Sequence, residues 1–397
     1  MTAPPPASAA ARAARIDPGA QERLLRLTAF LAQDPGNRRL RQDVFETAMQ
    51  AGRLDIAQAQ VEHVLAIDPE APVARHNLVL LLLARGDAVG AEAALRRLFE
   101  AGHDAPALHF NLARSLFDQG RHAEALEETA PLHAGNDTPA LVLHLRCLHC
   151  LGRVDEALDL ARAALAAGRL DAELFGVASL LAFDGEDLDA ARAWSGTELK
   201  RAPHQLEALV TAGCCALAVS DAAGAHAILR RALDVSPRDG RTWSAMGLCE
   251  MMRMRIGDAI IAFERAVETM PGHIGTWHAL GWCQIISNLL PAARSTFRHA
   301  LDMDHNFAES HGGLAVIQAL SGEVAEAAES IRRALKLDPD SMAARYAQAV
   351  LAGEHMDPQA VSLLADSLLK TQRRNARRER LQRLHDGRSE AGGEAEE

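Results

Sequence analysis

Apolar residues recur at intervals of three and four along most of the chain, in segments of about 12 to 15 residues separated by short polar turns. The segment L-L-R-L-T-A-F-L-A, at residues 24–32, shows the pattern. This spacing places the apolar side chains on one face of a helix. The chain is therefore predicted to be all-α and built from amphipathic helices.

The turns between these segments recur with a nearly constant period. An alanine stands five residues after the start of each turn, and the sequence numbers of successive alanines differ by 34, 34, 32, 33, 35, 34, 34 and 34. One helix pair cannot bury its own apolar face, so stacked pairs must complete the core. The nine alanines are Ala57, Ala91, Ala125, Ala157, Ala190, Ala225, Ala259, Ala293 and Ala327. Six of the turns begin with glycine: Gly52, Gly86, Gly120, Gly152, Gly185 and Gly322.

Two of these units carry a fuller signature. One reads W-S-A-M-G from Trp243, followed by Ala259, Phe263, Ala266 and Pro271. The other reads W-H-A-L-G from Trp277, with alanine, phenylalanine and alanine at the same offsets. The pattern resembles the tetratricopeptide repeat and extends over about residues 38–341. The resemblance implies a right-handed α-solenoid of antiparallel helix pairs with capping helices.

The repeat register predicts the organisation of the rest of the chain. We expect a disordered N-terminus over 1–18, a capping helix over 19–33 and a final helix pair over 342–370. An arginine-rich helix end and an acidic disordered tail are expected over 371–397. Pro131 and Gly196 fall inside second helices and predict short or kinked helices there, since both residues disfavour helix interiors. Two arrangements stay open, a continuous solenoid or two lobes over 38–200 and 201–370.

Composition and charge narrow the class of protein. Hydrophobic residues make up 48 % of the chain and aromatic residues only 4 %, which fits an Ala/Leu-rich helical array. A net charge of −11 argues against nucleic acid as the main partner, because phosphate binding needs a basic face. No apolar run reaches the roughly 18 residues of a membrane span. Six unevenly spaced cysteines do not form a disulfide framework, so we expect a cytoplasmic protein. We also expect a bacterial protein.

The sequence predicts no catalytic site, no metal and no cofactor, and hence no enzyme. Phosphate-loop, dinucleotide-binding, zinc-protease and serine-hydrolase motifs are absent. His144, Cys147 and Cys150 share one helix face, but three ligands from one helix do not build a closed zinc site. We interpret them as core residues. The same interpretation applies to the cysteines that recur at one repeat position, Cys214, Cys249 and Cys283.

The resemblance also implies where a partner binds. In the family, the first helix of each repeat lines a groove that takes an extended peptide or a helix. Carried onto this sequence, the candidate groove residues are His76, Asn77, Phe110, Asn111, Arg114, Phe117, Arg146, His149, Phe175, Arg241, Met251, His278 and Trp282. Trp243 and Trp277 occupy the family's packing position and are expected in the core.

Within the candidate groove, four apolar residues are predicted anchors and three arginines are predicted to choose acidic partner residues. Trp282 and Met251 are expected to form an adaptable apolar patch. No lysine accompanies Asn77 and Asn111, which argues against a clamp for a terminal carboxylate. The anchors are Phe110, Phe117, Met251 and Trp282, and the arginines are Arg114, Arg146 and Arg241.

The predicted function is a protein-interaction scaffold, adaptor or chaperone that binds a peptide or an amphipathic helix. The family resemblance suggests one specific form of this function, an assembly factor for a secretion or surface-appendage system. A second alternative is a regulator whose basic segment Arg373–Arg383 contacts nucleic acid or an anionic membrane. A third is an enzyme on a solenoid frame, which the missing motifs argue against.

Overall fold

The computed structural model describes residues 18–133, 137–169 and 171–353. Every regular element in these ranges is an α-helix, which confirms the all-α prediction. None of the helices in the described ranges is both long and apolar enough to cross a membrane. Several predictions lie outside the described residues: those for the segment before Pro18, for the second helix of the final pair, and for the arginine-rich segment with its acidic tail.

The described chain divides into two compact units, one ending at Leu151 and one beginning at Gly152. We call them the N-terminal and C-terminal units. The division falls inside the fourth repeat, and the alternative that the sequence offered was near residue 200. The helices of the N-terminal unit are α1 (Pro18–Gln33), α2 (Arg38–Gln50), α3 (Leu54–Ile67), α4 (Pro72–Arg85), α5 (Ala88–Glu100), α6 (Pro106–Asp118), α7 (His122–His133) and α8 (Thr138–Cys150).

The C-terminal unit contains twelve helices in its described residues. They are α9 (Val154–Ala166), α10 (Ala172–Asp184), α11 (Leu188–Arg201), α12 (Leu206–Ala218), α13 (Ala222–Val235), α14 (Gly240–Met252), α15 (Ile256–Thr269), α16 (Ile274–Ile286), α17 (Leu290–Met303), α18 (Ala308–Leu320), α19 (Val324–Leu337) and α20 (Met342–Leu351). Within each unit, consecutive helices pack on one another, as expected for a solenoid of helix pairs.

Local sequence explains why the hairpins of the N-terminal unit begin and end where they do. The Asn37 side chain caps α2 by accepting a hydrogen bond from the Leu40 amide at 2.9 Å. Gly86 ends α4 with a left-handed φ of 79°, which glycine adopts without steric cost. The periodic alanines Ala57 and Ala91 are fully buried, so paired helices approach closely there.

The C-terminal unit packs aromatic rings against glycines of its first helices. Phe263 on α15 and Phe297 on α17 are completely buried. Each faces a glycine of the preceding helix: a Cβ at Gly247 would lie 2.5 Å from the Phe263 ring, and one at Gly281 would lie 2.5 Å from the Phe297 ring. These glycines are needed for close approach, because any side chain would clash with the ring.

The structure corrects the register of the fifth turn. Gly185 has an ordinary φ of −81°, and the left-handed residue is Glu186 at 65°. The buried alanine that follows is therefore Ala191, and the prediction of Ala190 is wrong by one residue. Gly185 does not indicate the left-handed position, because the hairpin imposes that conformation on whichever residue occupies it.

The two predicted interruptions have different outcomes. Pro131 lies near the end of α7, a helix of 12 residues. Helix α11 continues for 14 residues through Gly196, so the predicted shortening there is wrong. A glycine in a helix interior costs only about 1 kcal/mol and keeps its backbone hydrogen bond, whereas proline loses it.

Candidate protein-binding face

Five predicted groove residues lie half-buried on successive first helices of the N-terminal unit. His76 on α4 and Phe110 on α6 are equivalent positions of neighbouring repeats, and so are Arg114 on α6 and Arg146 on α8. His149 follows Arg146 by about one turn of α8. Because α4 packs beside α6 and α6 beside α8, these residues form one surface, which we call the first-helix face.

The structure corrects the expectation for the two asparagines. Asn77 is buried, and its Nδ2 donates a hydrogen bond to Gln42 Oε1 at 2.6 Å. Asn111 is also buried, with its Nδ2 3.2 Å from His76 Nε2. Burial lowers the pKa of His76, so the ring accepts from the amide in its neutral form. Both asparagines therefore link neighbouring repeats beneath the first-helix face instead of standing on it.

Most of the predicted apolar anchors are core residues. Trp282 is only 5 % exposed, and its ring meets Phe297 and Tyr346 edge-on at centroid distances of 6.0 and 6.4 Å. Met251 is 1 % exposed within the same core. The expected exposed patch at Trp282 is thus wrong, because α20 brings Tyr346 against it. Buried positions are likewise found for Phe117 and Phe175.

Trp243 and Trp277, which were expected in the core, are half-buried over turns. Their Nε1 atoms donate hydrogen bonds to the carbonyls of Pro237 and Pro271, both at 2.8 Å. Each carbonyl lies six residues earlier, in the turn that enters the repeat. The same bond is made by other donors at this position: Arg75 Nε reaches Pro69 O at 2.8 Å, and Arg345 Nη2 reaches Pro339 O at 3.1 Å. The residue at this position thus holds the preceding turn against the first helix of its repeat by a hydrogen bond.

The polar groove candidates of the C-terminal unit form an ion pair or a hydrogen bond with other residues of the same unit. Arg241 forms an ion pair with Asp184. His278 is buried, with Nε2 2.7 Å from Ser310 Oγ and its ring 4.8 Å from that of Phe307. Burial lowers the pKa of His278 to about 3, so the ring is neutral near pH 7. These residues connect elements within the unit.

The cysteines show no arrangement for catalysis or metal binding in the described ranges. None of the six forms a disulfide in the part of the chain that the structure describes, and burial raises the pKa of the Cys147 and Cys283 thiols to about 12. A thiol with such a pKa is a poor nucleophile and a poor ligand near neutral pH. His144 Nδ1 lies 2.8 Å from Thr129 Oγ1, and no three His, Cys, Asp or Glu residues of the described chain converge as metal ligands.

Comparisons with known proteins agree with this geometry. Two family models, both described as tetratricopeptide repeat, match residues 49–109 and residues 210–274 and 287–341. The chain is a tetratricopeptide repeat protein. Repeats of this family serve as protein-interaction scaffolds in general, and a protein or peptide partner follows in that general sense. No curated protein matches the sequence.

Two solved structures show how far the likeness extends. A chain of the Cut9–Hcn1 heterotetramer of the APC/C aligns with a TM-score of 0.60 at 12 % identity, over 80 % of this chain and 63 % of that chain. The human IFIT1 dimer with m7Gppp-AAAA aligns with a TM-score of 0.54 at 15 % identity, over 94 % of each chain. At these identities the likeness concerns the fold of the tetratricopeptide repeat protein alone.

Proposed function

We propose that the first-helix face of the N-terminal unit binds a peptide or an amphipathic helix of a protein partner. The observation that carries the proposal is the half-exposed pair His76 and Phe110 above a fixed polar layer. Asn77 and Asn111 tie three successive first helices together beneath that pair. A face whose backbone is already held in place loses less entropy when a ligand binds.

The chemistry of the face indicates the kind of segment it takes. Phe110 offers an apolar surface, and aromatic side chains dominate the energetics of such contacts. Arg114 lies about one helical turn from Phe110, and Arg146 occupies the equivalent position of the next repeat. The preferred segment therefore carries an apolar residue flanked by carboxylates, to which arginine donates paired hydrogen bonds. An adaptor or chaperone role in the cytoplasm is the biological form that we propose for this binding.

A photo-crosslinking amino acid at Phe110 tests the proposal directly. We expect it to link one defined partner segment, which mass spectrometry then identifies. The matched control places the same amino acid at Glu127, which is exposed on the second helix α7. If both positions capture the same segments with equal yield, the first-helix face is not the binding surface.

The captured segment, synthesised as a peptide, then allows affinity measurements by calorimetry. Phe110→Ala and Arg114→Glu should each weaken binding at least tenfold, or about 1.4 kcal/mol. Glu127→Ala should leave the affinity unchanged. Unaltered affinity in both first-helix variants would refute the proposed face, and an unaltered affinity after removal of residues 371–397 would exclude the arginine-rich segment as the binding element.

A further inference from the structure

Three successive turns of the C-terminal unit expose an apolar side chain. Val219 is 58 % exposed in the turn between α12 and α13, Met254 is 55 % exposed between α14 and α15, and Leu289 is 47 % exposed between α16 and α17. We call these three residues the turn edge. The equivalent turns of the N-terminal unit, at 51–53, 85–87 and 119–121, expose no large apolar side chain.

Met254 stands where the backbone disfavours a side chain, and Leu289 stands where some other turns place a capping side chain. Met254 has a left-handed φ of 58°, a conformation that costs a residue with a side chain about 1–2 kcal/mol. Leu289 precedes the first residue of α17 and makes no capping hydrogen bond. Asp221 at the equivalent place caps α13 by accepting from the Gly224 amide at 2.8 Å. Residues held in unfavourable local conformations are concentrated at functional sites.

We infer that the turn edge binds an amphipathic helix of a protein partner, separately from the first-helix face. Three side chains cover far less than the roughly 800 Å² that each partner of a stable dimer buries. A second copy of this chain therefore gains too little from the turn edge alone. A single narrow element fits the size of the surface.

The spacing of the turns distinguishes a helix from a strand. The first helices α12, α14 and α16 pack side by side, so neighbouring turns lie roughly 8–10 Å apart. Seven residues of a helix rise by about 10 Å and return to nearly the same face. Three residues of a strand also cover about 10 Å, but they place the side chain on the opposite face. Val219, Met254 and Leu289 occupy the first, second and third positions of their turns, and a helix with apolar residues at every seventh position matches the spacing of these turns.

Charge indicates what flanks the central apolar residue of the partner. Met254 lies between Arg253 and Arg255. Arg253 Nη1 donates to Glu250 Oε1 at 2.9 Å, which neutralises it, whereas Arg255 is exposed. We expect carboxylates beside the central apolar residue of the helix. The nearby Asp221 carboxylate is engaged in capping α13.

Two synthetic peptides of identical length and composition test the inference. The first carries leucine at its positions 1, 8 and 15, the last of which ends the peptide, and glutamate around the central leucine. The second moves the leucines to positions 1, 6 and 11, which lie on different faces of a helix. Fluorescence polarisation with the full chain should show at least tenfold tighter binding of the first peptide. Equal affinity for both peptides would overturn the inference.

Variants of the turn edge locate the binding. Met254→Gly and Leu289→Ser should each weaken binding of the first peptide at least fivefold, and Arg255→Glu should remove the preference for glutamate over lysine flanks. Met254→Gly restores the residue that most turns use, so its thermal unfolding midpoint should not fall. Phe110→Ala, in the other unit, should leave this peptide's affinity unchanged. Unchanged affinity in Leu289→Ser, or a loss in Phe110→Ala, would contradict binding at the turn edge.

Discussion

The two units use glycine at different places of the same hairpin. In the N-terminal unit, glycines occupy the left-handed position of the turns. In the C-terminal unit, four successive turns hold other residues at that position, and glycines instead lie inside first helices. The turn glycines are Gly52, Gly86 and Gly120, with φ of 68°, 79° and 79°. The four turns hold Glu186, Ser220, Met254 and Asn288 at 65°, 62°, 58° and 57°, and the helical glycines are Gly213, Gly247 and Gly281.

This difference separates two structural requirements of the hairpin: a left-handed residue in the turn, and close approach of the two helices. The left-handed φ persists whether the residue is glycine or methionine, so the paired helices impose it. The glycine inside the first helix α16 meets a different demand, because Gly281 lies opposite the bulky Phe297 ring of the second helix. The C-terminal unit therefore combines rings packed against helical glycines with less favourable turns, and the N-terminal unit has the favourable turns.

The largest expected effect is the loss of an aromatic core residue. Phe297→Ala should lower the free energy of unfolding of the C-terminal unit by about 3–5 kcal/mol, because a buried ring leaves a cavity. Hydrogen exchange resolves the two units separately and is the appropriate measurement. Amides of α16 and α17 should lose protection while those of α2 to α6 keep it. Equal loss of protection in both sets would show that the units unfold together.

A smaller effect is expected at the helical glycine that faces this ring. Gly281→Ala should destabilise the C-terminal unit by about 1–3 kcal/mol, since the added methyl group forces the Phe297 ring to shift. The matched control is Gly196→Ala in α11, where an added Cβ meets no atom within 4 Å. There the higher helix propensity of alanine should stabilise by up to about 1 kcal/mol. Chemical denaturation of both variants measures the pair, and equal signs would refute the distinction.

The turns themselves provide a third, reciprocal test. Gly86→Ala should cost about 1 kcal/mol, because alanine is strained at a φ of 79°. Met254→Gly should gain up to about 1 kcal/mol, reduced by the greater entropy of glycine in the unfolded chain. Hydrogen exchange in α4 and α14 measures these changes. A loss of stability in Met254→Gly would mean that the methionine side chain contributes packing that its exposure does not indicate.

The sequence predicted the fold well because repeat periodicity is local and redundant. The alanines that recur once in every helix pair fixed most hairpins, and the WSAMG and WHALG segments placed the first helices. The register failed only at Gly185, where a glycine stands one residue before the left-handed Glu186. A single sequence cannot distinguish a glycine that a turn requires from one beside it.

The candidate site was harder to predict because exposure depends on contacts between distant repeats. Trp282 and Phe110 both lie on first helices, yet Trp282 is covered by Tyr346, 64 positions later in the chain. The sequence analysis did not predict the turn edge. Its signal in the sequence is the loss of glycine at Met254, a turn position at which other repeats carry glycine.

The smallest expected effect concerns a histidine of the N-terminal unit at the position that Trp243 and Trp277 occupy in the C-terminal unit. His109 Nδ1 lies 2.7 Å from Glu128 Oε2, and its Nε2 lies 2.6 Å from Asp104 Oδ1. The Phe99 ring packs against it at 4.9 Å. The hydrogen bond to Glu128, followed by that to Asp104, raises the pKa of His109 above its usual value despite partial burial.

A raised pKa means that the folded state holds the proton more tightly than the unfolded state. The stabilisation by His109 is therefore complete below the unfolded pKa of about 6.5 and is lost as the pH rises through the folded pKa. His109→Gln should lower the stability of α6 by about 0.5 kcal/mol at pH 5.5, given solvent screening, and by almost nothing at pH 9. Hydrogen exchange at the two pH values, corrected for intrinsic rates, measures this change.

His278 provides the contrast, because burial lowers its pKa. The stability that the neutral His278 ring contributes to the wild-type protein is lost as the pH falls below about 6.5, so His278→Gln should show the opposite trend. Parallel trends in the two variants would mean that the two carboxylates do not hold His109 in its charged form.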